Sequence, residues 1–117
     1  MMAAMGPTVL EERLKADLRR ALRARDRAAV AALRTAVSAI DNAGSVGLLE
    51  DGRTKVAGKA ADVPRREPTE EEVVGIVRRE VDELSAGIAA AERHGSADRA
   101  DELRAKRTVL AAYIDGV

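Results

Sequence analysis

A chain of 117 residues with one aromatic side chain, Tyr113, and no Phe, Trp or Cys has few ways to build an interior. Aromatic side chains bury the largest area apiece. Without them the core must be aliphatic, made of Val, Leu, Ile and Ala, and each buried side chain contributes less. Length suggests a single domain with a modest core, and ordinary or low thermal stability is expected. The absence of Cys excludes disulfide frameworks and thiolate nucleophiles.

The spacing of the aliphatic residues decides the fold class. Residues 8–25, "TVLEERLKADLRRALRAR", place Leu10, Leu14, Leu18 and Leu22 four apart with Ala21 beside them, which predicts an amphipathic helix. Thr8 and Glu11 form a capping-box pattern, and Glu11 and Lys15 an i,i+4 pair. Asp26 reads as a break and an N-cap. A second helix follows to about residue 42, with Val30, Leu33, Val37 and Ile40 on one side and Asn42, Ala43 and Gly44 as stop signals. The short connection predicts an antiparallel pair; one long kinked helix is the competing reading.

Residues 43–68 carry glycines, prolines and no sustained period, and read as a long loop. "VGLL" at 46–49 is the only strand-like run, and it has no obvious partner. Thr69 and Glu72 repeat the capping box, opening a long helix striped by Val73, Val77, Val81, Leu84, Ile88 and Ala91. Gly75 and Gly87 inside it suggest close approach by a neighbouring helix. Gly95 ends it, Ser96 caps a last helix, and Ala100, Leu103, Leu110, Tyr113 and Ile114 line that helix's apolar side. The expectation is all-α: an antiparallel bundle of about four helices, with one long loop between the second and third and residues 1–7 as a flexible tail.

Charge gives a weaker guide. Lys+Arg and Asp+Glu balance at 20 each, so overall charge argues for neither nucleic acid nor membrane. No apolar run is long enough to cross a bilayer, and the N-terminus lacks the pattern of a secretory signal, so a cytoplasmic location is expected. Locally the balance shifts. Arg19, Arg20, Arg23 and Arg27 are spaced to form a basic strip that could hold phosphates by charge alone. The competing expectation is a solvated face, or pairing with the acidic third helix.

Catalytic chemistry finds little support. His94, the sole histidine, reads as an exposed residue at a helix C-terminus. Ser85 and Ser96 have no pattern supporting a nucleophile. Glu70, Glu71 and Glu72 point to different faces of one helix and cannot converge on a cation. No phosphate-binding loop motif is present, and neither a metal nor a cofactor is expected.

The pieces "LEERLKADLRRALRARD" (10–26), "ALRTAVSAIDNA" (32–43) and "PTEEEVVGIVRREVDELSAGIAAAERHGSADRADELRAKRTVLAAYI" (68–114) occur in an order that resembles the GatB/YqeY family, specifically its stand-alone YqeY-like members. The steps that carry the resemblance are Arg25-Asp26, Leu33-Arg34, Arg79-Glu80-Val81, Gly95 to Asp98, and Tyr113-Ile114. The chain departs from the pattern at Asp115-Gly116, where a Pro is usual, and at Lys106, where a Glu is common. Relatives continue into a second small helical domain, so the chain corresponds to the N-terminal one. The resemblance implies a link to glutamine-dependent tRNA amidation, and to the family label of carbon–nitrogen ligase with glutamine as amido-N-donor. In the amidotransferase B subunit the related region handles tRNA. With no catalytic residues evident, the expected role is accessory, with tRNA or a tRNA amidotransferase as partner. The alternative is a helical protein-interaction module, self-associating through its C-terminal helix if Tyr113 and Ile114 are left uncovered. Arg34 and Glu80, from two of the family-like steps, are expected to form an ion pair between the helix pairs, against the alternative of two solvated charges.

Overall fold

The computed structural model describes residues 6–46 and 67–115. Within them the chain is all-α, with four helices: α1 (Val9–Ala24), α2 (Arg27–Val46), α3 (Glu70–Arg93) and α4 (Ala97–Ile114). Of the strand-like run at 46–49, Val46 belongs to α2; its other residues, the tail before Gly6 and most of the expected loop lie outside the described residues.

The helix starts follow local chemistry. Thr69 accepts from the Glu72 amide at 3.1 Å while the Glu72 carboxylate accepts from the Thr69 amide at 2.8 Å, a complete capping box. At α1 only half of the expected box forms. Thr8 Oγ1 accepts from the Glu11 amide at 3.1 Å, but the Glu11 carboxylate turns inward. It is 3% exposed; one oxygen meets Lys15 at 3.2 Å and the other, Oε1, has no partner. The neighbouring helix supplies a substitute cap, because Glu70 Oε1 accepts from the Leu10 amide at 3.3 Å. One side chain thereby joins the two helix starts and satisfies an amide that α1 leaves open.

Asp26 caps α2 as its position suggests, its Oδ1 accepting from the Ala29 amide at 3.2 Å. With only Arg25 and Asp26 between them, α1 and α2 are two packed helices and not one kinked helix. α2 runs past its expected stop at residue 42, through Gly44 to Val46. Gly44 and Ile40 are both buried, so packing of this end outweighs the poor helix propensity of Gly and Asn. Ser96 takes the N-cap position of α4 but makes no side-chain cap bond.

The main core draws on all four helices: Leu10 and Leu14; Ala32, Leu33, Ala36 and Ile40; Val73, Ile76 and Val77; Leu110 and Ile114. On α2 the buried face is centred on Ala29, Ala32, Leu33 and Ala36, with Val30 and Val37 at its margins. Alanines let neighbouring backbones come close, which is how a core without Phe or Trp stays packed. A second, smaller core holds Ile88, Ala91, Ala100 and Leu103 from α3 and α4 alone. Glu92 meets Arg104, and Arg107 Nη1 donates to Ser85 Oγ at 3.1 Å, so the two helices run antiparallel. A Cβ placed on Gly87 would lie 3.2 Å from Leu103 Cδ1, as expected of a close approach; at Gly75 nothing lies within 4 Å.

Candidate nucleic-acid interface

The strip is assembled by the last turns of α1 and the first residue of α2. Arg19 and Arg23 stand one turn apart on α1, Arg20 lies beside them, and Arg27 opens α2 across a two-residue corner. All four are exposed. Among the described residues three of them, Arg19, Arg23 and Arg27, make no ion pair, hydrogen bond or ring contact. Arg20 differs, because it is paired with Asp17 on its own helix. The expected competitor, neutralisation by α3, does not occur: no carboxylate of α3 pairs with any of the four.

The side of α1 facing α4 carries a polar cluster that sequence reasoning did not find. The Tyr113 hydroxyl donates to Asp17, which also pairs with Arg20, and the Arg13 guanidinium lies 5.3 Å from the centre of the Tyr113 ring. Burial pushes the Tyr113 phenol above its ordinary value, opposed by the positive charges of Arg13 and Arg20. Two signals were present in the sequence. Arg13, Asp17 and Arg20 recur at helical spacing, and the chain's one aromatic lies on the last helix. Their meeting depends on how α4 crosses α1. Beside the cluster is an open groove of about 550 Å³, lined by Ala21, Ala24, Leu33 and Val109 together with Arg23 and Asp26.

Arg34 and Glu80 do not form the expected ion pair. Arg34 follows Arg27 by two helical turns and is exposed, on the same side of α2 and about 10 Å further along. It extends the basic surface. Glu80 is half-buried on α3, where desolvation and Glu83 raise its carboxyl above the ordinary value and Arg79 lowers it.

The remaining polar residues have local roles. His94 is exposed and its Nδ1 donates to the Ala90 carbonyl at 2.8 Å. Ser85 accepts from Arg107, and Glu70 and Glu72 serve as caps. Among the described residues no group of three or more His, Asp or Glu side chains is placed to hold a metal ion. No described helix is long and apolar enough to cross a membrane. Ile114 is 8% exposed and Tyr113 half-buried, so neither is left fully uncovered at the end of α4. Compared with family models, curated proteins and solved structures, the chain matches none.

Proposed function

We propose that the chain is an accessory RNA-binding helical module without catalysis of its own, holding tRNA phosphates on its α1–α2 corner. The observation that supports this reading is the set of exposed arginines, Arg19, Arg23 and Arg27, that no carboxylate among the described residues neutralises. A guanidinium left in water beside others of its sign raises local potential and attracts polyanions. Its lack of internal partners means that binding need not break an ion pair first. The order of short motifs resembling GatB/YqeY proteins supports tRNA as the RNA, and glutamine-dependent tRNA amidation as the setting.

The test is binding of the full chain to bulk tRNA and to duplex DNA at two salt concentrations. The expected result is tRNA-preferring binding whose affinity falls steeply with salt, by a log–log slope of about 0.7–0.9 per phosphate neutralised. Joint substitution Arg19→Glu, Arg23→Glu and Arg27→Glu should abolish it. No salt-sensitive binding at low salt, or equal binding by the triple variant, would overturn the reading.

A second reading, self-association, draws on the groove beside Tyr113, whose lining includes Ala21, Ala24, Ala29 and Leu33 and could take an apolar side chain of another copy. Sedimentation at rising protein concentration separates the two. A dimer that forms without RNA and is lost on Ala24→Glu favours self-association.

A further inference from the structure

Both helix–helix corners of the described residues are built in the same way. At the α3–α4 corner the Gly95 amide donates to the Glu92 carbonyl at 3.1 Å, and the Ser96 amide to the Ala91 carbonyl at 2.8 Å. At the α1–α2 corner the Arg25 amide donates to the Leu22 carbonyl at 3.2 Å, and the Asp26 amide to the Ala21 carbonyl at 3.1 Å. The offsets along the chain are identical, three residues and five, and both corners use the left-handed end turn of a helix. Gly95 has φ 73° and Arg25 has φ 59°. Glycine adopts that backbone without penalty, whereas a residue with a Cβ is strained there. Among the described residues Arg25 is the only non-glycine with positive φ.

The backbone bonds of the turn are the same at both corners, and among the described residues no side-chain contact of Arg25 adds to them. That side chain is exposed and, among the described residues, makes no ion pair, hydrogen bond or ring contact. A cation can stabilise the negative end of a helix dipole. That charge is already supplied at both corners by an arginine two residues earlier, Arg23 in the last turn of α1 and Arg93 in the last turn of α3. The two corners thus match in the bonds of the turn backbone and in helix-end charge; they differ in their side chains, Asp26 capping α2 where Ser96 makes no cap bond, and in that the left-handed position carries a guanidinium at one corner and a glycine at the other. The corner with the guanidinium is the one that also holds the unpaired Arg19, Arg23 and Arg27.

We infer that Arg25 is a phosphodiester-binding residue, held at a strained turn because its guanidinium is used there, and that the α1–α2 corner is the centre of the anion-binding surface. A tight turn suits the task, because it brings Arg23, Arg25 and Arg27 within five residues of chain at the corner where α1 ends and α2 begins. The inference rests on the polyanion reading of the basic strip, and adds a residue that the strip did not include.

The test substitutes Arg25→Gly and Arg25→Asn in the full chain, with Arg93→Ala as the matched control from the other corner. Thermal midpoint and tRNA binding are read together. Arg25→Gly should raise the midpoint by roughly 3 °C, since the strain is relieved. It should also weaken tRNA binding roughly two- to fivefold at low salt and lower the salt slope by about one. Arg25→Asn, which tolerates the left-handed turn without the charge, should weaken binding equally. Arg93→Ala should leave tRNA affinity unchanged. If the unaltered chain binds tRNA and Arg25→Gly binds with the same affinity and slope, this inference falls and the strip reading stands. An Arg25→Gly midpoint that drops along with binding would make Arg25 structural and overturn it. Failure of the unaltered chain to bind tRNA overturns both.

Discussion

Tyr113 gathers on one residue what a chain poor in aromatics can do with its single ring. The ring lies beside Arg13, the hydroxyl donates to Asp17, and the side chain is half-buried between α4 and α1. Its phenol is raised above the usual 10.0, first by burial, with Arg13 and Arg20 opposing. The folded state therefore holds this proton more tightly than the unfolded chain. The stability it contributes is complete below pH 10 and is lost as pH rises through the folded-state value. Removal of the hydroxyl in Tyr113→Phe should cost about 1 kcal/mol near pH 8. The gap between the two proteins should then narrow as pH passes 10, measured by urea unfolding at each pH. Glu11 is the counter-example, a buried carboxylate with one unpartnered oxygen. The capping-box pattern at Thr8 did not foretell it, because the inward turn of that side chain depends on what surrounds it.

At the scale of the helix, apolar spacing located the elements well but misjudged which residues face inward. Leu10, Leu14, Leu18 and Leu22 advance by four, and each step of four overshoots a full turn by about 40°. By Leu22 the stripe has drifted off the core: Leu22 is 46% exposed and Ala21 is buried in its place. α2 shows the same shift, its inward face centred on alanines with valines at the edges. The two interior glycines of α3 separate propensity from packing. Gly75→Ala meets open space and should stabilise by about 1 kcal/mol. Gly87→Ala has the same propensity gain, but its Cβ must displace Leu103 Cδ1. Chemical denaturation should show a smaller gain at 87 than at 75.

The described molecule is elongated, 46 × 32 × 27 Å, and its two cores differ in kind. The larger is enclosed by four helices; the smaller, around Ile88, Ala91, Ala100 and Leu103, is held by α3 and α4 alone. Opening the far end of that pair exposes four small or medium side chains, whereas opening the body exposes the whole main core. Amide exchange should accordingly be faster at residues 88–91 and 100–103 than at 73–77 and 110–114. Uniform protection along α3 would show that the arm and body open as one unit.

Local chemistry was enough to determine the all-α class, the caps at Thr8, Asp26 and Thr69, the glycine corner at Gly95 and the basic strip. Each follows from residues within a turn or two of one another, where backbone amides, short polar side chains and helical period act directly. Tertiary structure alone decided the rest. It carried α2 through Gly44, turned Glu11 inward, brought Tyr113 to Asp17, and left Arg34 apart from Glu80 on the basic surface. These outcomes depend on which helix faces meet. Faces meet according to the area they bury together, which no single stretch of sequence contains. The strip lay between the two cases: the arginines were legible as a row, but their freedom from α3, and the strained turn at Arg25, became visible only once the helices were placed.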